Sequence, residues 1–493
     1  MSQNHIVSKN EAVKSSLWKI LESFGSKGVS MLVSIVLARL LMPEVYGVIA
    51  LTSVFINLTD ILIQAGFATT LIRKETATDE DYSTVLCISI ASSFVLYCII
   101  FLASPWIAEM YKTPQLSPVL RVIALTLFCQ AFASVRTAVV ARTMRFRTLF
   151  VCTMIANIIS GIIGIVLAML DFGVWALVFQ QLSQQGILTI LLLASVKIKY
   201  TFRISKESVK EIVPPSLKIL SSSLLSFAGD SMYSIVIGKV YSMEELGYTE
   251  KGSLFPRSFS LYTFSAVSNV FLPVFSSFQK DYDRLNSIFR RVVNVSSYVI
   301  FPMMAGLCMV AEPLIAVILT EQWLPAVGIM RWNCLYYAVT PLMLANVQLH
   351  FAIGKNNIRI KTEIIRIAML ALGLMIFVIK KAPINTVAMV VAFIQVLIMC
   401  ILMFETKKAT GYRLKDTLKD LFPTAISTGI MCVVVFFVLR FPFSYVQSLV
   451  IGIVVGTVVY LGSSILLRNR AFYELFDMAK MLINRRKGKT GND

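Results

Sequence analysis

Charged side chains inside long apolar segments are the residues of this sequence best suited to do chemistry. A charge at the centre of a membrane helix costs roughly 2.5–3.5 kcal/mol on insertion scales, so it usually binds a ligand or a partner residue. Lys27 lies within the first apolar segment, about one and a half turns after Glu22. One interpretation places Lys27 in a cavity that attracts an anionic ligand. In the other, it extends to the membrane interface or pairs with Glu22.

A polar stripe occupies the second apolar segment. Asn57, Asp60 and Gln64 are spaced three and four residues apart, so they share one face of a helix. Such a face must contact protein or water, because lipid offers no hydrogen-bond partners. We expect it to line a cavity and bind ligand hydroxyls or a cation; contacts between helices are the alternative. Asp230, in a later segment, is a similar candidate.

Four basic residues near the ends of apolar segments are further binding candidates. Arg39 and Lys239 occupy equivalent places in two similar stretches, and Arg290 and Arg291 precede a later segment. Anchoring at the interface explains the first pair, and the excess of basic residues in cytoplasmic loops explains the second. Binding of an anionic group is the alternative for both pairs.

Four glutamines form two i, i+4 pairs in the sixth apolar segment: Gln180, Gln181, Gln184 and Gln185. Uncharged amides suit a neutral, hydroxyl-rich ligand. Packing between helices explains them equally well, so no individual glutamine is selected as a site residue.

The composition indicates that membrane-spanning helices position these residues. Hydrophobic residues make up 57% of the 493 residues and charged residues 15%, whereas a soluble domain carries roughly 25% charge. The apolar runs of roughly 18–25 residues have the length that crosses a bilayer core. The first fifteen residues lack the apolar region of a signal peptide. We therefore predict an all-α polytopic membrane protein that begins in the cytoplasm.

The apolar runs predict about fourteen transmembrane helices. Their approximate bounds are 17–41, 45–65, 83–104, 119–139, 149–170, 174–196, 217–238, 254–278, 292–311, 332–352, 362–379, 385–404, 421–439 and 445–467. With both termini cytoplasmic, most of the 46 Lys and Arg residues fall in predicted cytoplasmic segments, as the positive-inside rule requires. The net charge of +19 then reflects topology and contact with anionic membrane lipids, and does not indicate a nucleic-acid partner.

Two stretches separated by two hundred residues suggest a duplication of six helices. RLLMPEVYG at 39–47 and KVYSMEELG at 239–247 share a basic residue, a glutamate and a glycine, and an Asp-Tyr pair recurs at 81–82 and 281–282. Parallel repeats of this kind are a transporter architecture. We predict a lobe of helices 1–6 over residues 1–210 and a lobe of helices 7–12 over 211–410. Helices 13 and 14 follow in 411–470, and 471–493 form an amphipathic, basic cytoplasmic tail with an interfacial helix over 471–486.

Residue types exclude several kinds of chemistry. The eight cysteines lie in apolar runs without a Cys-x-x-Cys pair, and the sequence has two histidines, so we predict neither disulfides, metal nor cofactor. The P-loop motif that would support ATP-driven transport is absent. The predicted outer loops are short and lack an Asp-x-Asp cluster, which argues against a polymerase or glycosyltransferase.

Several strings together resemble the polysaccharide-transport branch of the multidrug/oligosaccharidyl-lipid/polysaccharide exporter superfamily, and more narrowly its Wzx- and WzxC-type flippases. They are LARLLMPEVYGVIAL (37–51), GFATTLIRK (66–74), DYSTVL (81–86), FGVWALVFQQL (172–182), IGKVYSMEELGY (237–248), LPVFSSFQKDYDRL (272–285), FPMMAGLCMVAEPLI (301–315) and EQWLPAV (321–327). The resemblance extends over residues 15–420.

The resemblance implies a V-shaped fold with two lobes around a cavity that opens alternately to the two sides. It implies a flippase that moves an undecaprenyl-pyrophosphate-linked oligosaccharide from the cytoplasmic to the periplasmic face of the bacterial inner membrane, for O-antigen or exopolysaccharide synthesis. A polysaccharide polymerase is a candidate protein partner. An ion-coupled drug antiporter and a flippase of another lipid remain the alternatives, because they share the fold.

Overall fold

The described part of the protein consists of helices and their connections, without β-strands. The structure, a computed structural model, describes residues 9–64, 70–71, 74, 78–198, 205–277, 281–355, 357–380 and 382–475, and these form helices joined by turns and short irregular segments. Within these ranges, nine helical segments are long and apolar enough to cross a membrane. The prediction of an all-α, multi-pass membrane protein is confirmed.

Sixteen α-helices of eight residues or more lie within the described ranges. They are α1 (Lys9–Leu40), α2 (Pro43–Gln64), α3 (Asp79–Met110), α4 (Leu116–Ile123), α5 (Thr126–Arg142), α6 (Phe146–Met169), α7 (Val174–Ser195), α8 (Lys206–Val240), α9 (Met243–Ser277), α10 (Tyr282–Met309), α11 (Ala311–Ile318), α12 (Ala326–Ala352), α13 (Asn357–Ile379), α14 (Ile384–Thr410), α15 (Leu414–Val438) and α16 (Tyr445–Leu466).

Each predicted span overlaps a long helix, with α4 and α5 together forming one span. The other long helices of the described part, α1, α8, α9, α12 and α13, are not among these nine segments. The total of fourteen membrane-crossing helices therefore stays a prediction.

The repeated Asp-Tyr pair lies at a helix start in both copies, but its aspartates act differently. Asp81 and Thr78 form a capping box at the start of α3, and Lys74 pairs with Asp81 at 2.9 Å. Asp281 is itself the N-cap of α10 and accepts a hydrogen bond from the backbone N–H of Arg284 at 3.0 Å. Both arrangements satisfy N–H groups that a helix start leaves without partners.

Contacts between helices divide the chain into two compact units, Met1–Gly247 and Tyr248–Asp493. In the first unit α8 packs against α2 and α3, which groups α8 with the helices before it. The division therefore falls later in the chain than the lobe boundary expected at residue 210. The lobes of the proposed duplication stay a prediction.

The starts of α2 and α9 approach each other closely within the first unit. A Cβ atom built on Gly47 would lie 1.7 Å from the carbonyl oxygen of Met243, and one on Gly247 would lie 2.0 Å from that of Pro43. Cβ atoms essentially never lie within 3.0 Å of a heavy atom from a residue that is distant in the chain. At this separation of the two helices both positions therefore require glycine, which gives a physical reason for the glycine shared by the two repeated stretches.

In the second unit, α10 packs against α12, α15 and α16. The Tyr460 hydroxyl of α16 donates to the carbonyl oxygen of Tyr298 in α10 at 2.7 Å. Residues 470–475 are helical, and the Phe472 ring contacts that of Tyr298. The described residues end at Leu475, so most of the interfacial helix predicted over 471–486 lies outside them.

Candidate functional site

A polar cavity of about 370 Å³ lies inside the first unit, among α1, α2, α5 and α7. Its volume falls in the range of roughly 300–1,000 Å³ typical of small-molecule sites. The lining residues are Ser30, Val33, Ser34, Leu37, Tyr46, Ile49, Ser53, Ile56, Asn57, Asp60, Thr126, Gln130, Leu177, Gln180, Gln181, Gln184 and Gln185.

Asp60 supplies the formal charge among these lining residues. Its Oδ2 atom accepts a hydrogen bond from Gln130 Nε2 at 2.9 Å, while its Oδ1 atom is buried without a hydrogen-bond partner in the described part of the chain. Asn57 lines the same cavity one turn earlier. Gln64 is the last residue of α2, and its side chain lies outside the described part.

The four glutamines of α7 line the same cavity. Gln184 Nε2 donates to Asn157 Oδ1 at 2.6 Å, and Asn157 Nδ2 donates to Ser26 Oγ at 2.8 Å. This chain of hydrogen bonds fixes the Gln184 amide. The i, i+4 spacing of the glutamines marked them in the sequence, whereas nothing in the sequence linked Gln130 to Asp60, seventy residues away.

The other candidates of the first unit are not among the lining residues. Lys27 and Arg39 of α1 and Asp230 of α8 are exposed, and Lys239 donates from its Nζ atom to a backbone carbonyl at the end of α3. The side chain of Glu22, the expected partner of Lys27, lies outside the described residues. Substrate binding by these four residues stays a prediction.

Arg290 and Arg291 belong to the second unit and form ion pairs. Arg290 pairs with Asp420 of α15, which also accepts from the Tyr412 hydroxyl at 3.0 Å, and Arg291 pairs with Glu474 at 3.2 Å. Burial raises the pKa of Tyr412, so its phenol remains a donor. About half of each arginine side chain stays exposed, and capture of an anionic headgroup by them stays a prediction.

We expect Asp420→Ala to destabilise the second unit by about 1–2 kcal/mol. The carboxylate is buried and accepts hydrogen bonds from two side chains, so its loss leaves the Tyr412 hydroxyl without its acceptor. Thermal unfolding of the purified protein in detergent measures the effect. Lys419→Ala, an exposed neighbour on the same helix, should leave the midpoint unchanged; equal midpoints for the two variants would contradict the expectation.

The fold matches those of known transporters. A structure of the lipid II flippase MurJ in an inward closed conformation superposes with a TM-score of 0.73 at 16% identity, covering 92% of this chain and 99% of that one. An inward-facing multidrug transporter of the MOP superfamily gives a TM-score of 0.60 at 15% identity, covering 78% and 94%. The chain therefore shares the multi-helix fold of these two transporters.

The sequence assigns the chain to a family. Residues 36–328 match the family described as polysaccharide biosynthesis protein, and the chain belongs to that family. The resemblance to this family that was found in the sequence is confirmed.

Relatives include the succinoglycan biosynthesis transport protein ExoT of Rhizobium meliloti, 24% identical over 64% of this chain and 64% of the relative. The lipopolysaccharide biosynthesis protein WzxC of Escherichia coli is 20% identical over 66% and 67%. The match with ExoT thus spans slightly less than two thirds of that protein.

Proposed function

We propose that this chain flips an undecaprenyl-pyrophosphate-linked oligosaccharide from the cytoplasmic to the periplasmic face of the bacterial inner membrane. The observation that carries the proposal is a cavity lined by amides, hydroxyls and a carboxylate inside an apolar member of the polysaccharide biosynthesis family. The names of relatives support it, since they refer to succinoglycan transport and lipopolysaccharide biosynthesis.

In the proposed mechanism, the sugar headgroup enters the protein while the polyprenyl tail remains in the lipid. Protein hydrogen bonds replace the water that the headgroup loses, which lowers the barrier to crossing the apolar core. The pyrophosphate contacts the basic candidates along its path. These are Lys27, Arg39, Lys239, Arg290 and Arg291. Opening of the protein to one side and then to the other releases the glycan for a polymerase outside.

Deletion of the gene tests the proposal. Cells without the chain should accumulate a complete undecaprenyl-pyrophosphate-linked repeat unit and lose surface polysaccharide, because the intermediate is made but not moved. Mass spectrometry of extracted lipids measures the first effect and staining of surface glycan the second. Expression of the chain from a plasmid should restore both; unchanged glycan with altered drug sensitivity would favour an antiporter instead.

A further inference from the structure

We propose that the cavity of the first unit binds an uncharged sugar of the lipid-linked glycan, and that the pyrophosphate binds elsewhere. The inference deepens the proposed flippase function and rests on it. It assigns the two ends of one headgroup, the neutral sugar and the doubly charged phosphate linkage, to different parts of the protein.

Charge excludes the pyrophosphate from this cavity. Protein sites for phosphates use Lys, Arg or the N-termini of helices as donors. None of the described lining residues is Lys, Arg or His, and the lining contains the carboxylate of Asp60. A pyrophosphate placed here would meet a like charge inside the protein, where repulsion is screened less than in water.

The hydrogen-bonding groups instead complement sugar hydroxyls. An amide side chain both donates and accepts, and a hydroxyl does the same, so each can pair with the other in either direction. Five glutamines and Asn57 line the cavity. The buried Oδ1 atom of Asp60 has no donor among the described residues, and a hydroxyl of the ligand would supply one. Leaving such an acceptor unpaired costs about 1–3 kcal/mol.

A bound metal fits these observations less well. The described part of the chain contains no group of three or more His, Cys, Asp and Glu residues that could hold a metal ion. The Gln130 amide nitrogen donates to Asp60, so one carboxylate oxygen already has a partner. The remaining lining groups are mostly neutral amides and hydroxyls, which favours a neutral polar ligand over a cation.

Two substitutions separate sugar binding from phosphate binding. Gln181 and Asn57 line the cavity and make no side-chain hydrogen bond with any described residue, so leucine at either position removes contacts with a ligand rather than contacts within the protein. The matched control is Gln115→Leu, at an exposed residue before α4 whose side chain makes no capping hydrogen bond.

The experiment titrates the purified full-length protein in nanodiscs with two lipids and follows binding by native mass spectrometry. One lipid is the oligosaccharide-linked carrier extracted from cells that lack the chain, and the other is undecaprenyl pyrophosphate without sugar. We expect Gln181→Leu and Asn57→Leu each to weaken binding of the first lipid at least tenfold and to change binding of the second less than twofold. Gln115→Leu should bind both lipids as the unsubstituted protein does.

Other outcomes overturn the proposal in distinguishable ways. Equal loss of affinity for both lipids would place the pyrophosphate in the cavity, and no loss for either would remove the cavity from headgroup binding. Sodium- or proton-dependent stabilisation without lipid, abolished by both substitutions, would assign the cavity to a cation. If the unsubstituted protein bound neither lipid, the flippase function itself would fail.

Discussion

Replacement of Gly47 by alanine is expected to reduce polysaccharide export at least tenfold and to destabilise the protein. Alanine normally stabilises a helix by about 1 kcal/mol relative to glycine. At this position its Cβ atom would lie 1.7 Å from the carbonyl oxygen of Met243, so α2 and α9 must separate. Overpacking of this kind costs about 1–3 kcal/mol, which exceeds the gain in helix propensity.

The measurement combines two readouts, surface polysaccharide in a complemented deletion strain and the thermal unfolding midpoint of the purified variant. Gly429→Ala in α15 is the matched control, because a Cβ there meets no atom within 4 Å. The control should export normally and unfold at the same temperature or slightly higher. Normal export together with an unchanged midpoint for Gly47→Ala would show that the two helices do not require this contact.

Asp60→Asn is expected to reduce transport without lowering the stability of the protein. The substitution keeps the size of the side chain and an oxygen that accepts a hydrogen bond from Gln130. It removes the negative charge of a carboxylate whose Oδ1 atom is buried without a hydrogen-bond partner among the described residues. Removing a buried, incompletely paired charge relieves a cost of folding. We therefore expect an unfolding midpoint equal to or above that of the unsubstituted protein, and export reduced at least tenfold through loss of the strongest acceptor in the cavity.

Asp171→Asn is the control for this experiment. Asp171 lies in an exposed turn with φ of 58°, a conformation that asparagine also adopts readily. The Asp171→Asn substitution should change neither the thermal unfolding midpoint nor polysaccharide export. Full export by Asp60→Asn would remove the carboxylate from the mechanism, and a lowered midpoint would show that the carboxylate serves folding instead.

Local composition was sufficient to predict most of the fold. A membrane helix needs an apolar run of defined length, which can be recognised from consecutive residues alone. The predicted spans at 174–196 and 445–467 therefore nearly coincide with α7 and α16. The ends of helices were less predictable. The chain continues in helical form beyond the apolar run in α8, which begins at Lys206, because polar residues outside the apolar core also favour a helix.

The site was predictable only where its signal was periodic. Asn57 and Asp60 share a helix face by spacing alone, and the structure places both at the cavity. The pairing of Asp60 with Gln130 joins residues from α2 and α5, and no periodicity within either helix encodes it. Likewise, the sequence marked Arg290 as a basic residue at a helix start, but its partner Asp420 lies on α15.

We expect selection to act on Gly47 and Gly247 together, as if they were one site. Each glycine accommodates a backbone carbonyl beside the other, since Gly47 lies against Met243 and Gly247 against Pro43. A side chain at either position would separate the helices and so relieve the steric constraint on the second position. Among related sequences the two positions should therefore vary together, with small residues at both or larger ones at both, although two hundred residues separate them in the chain.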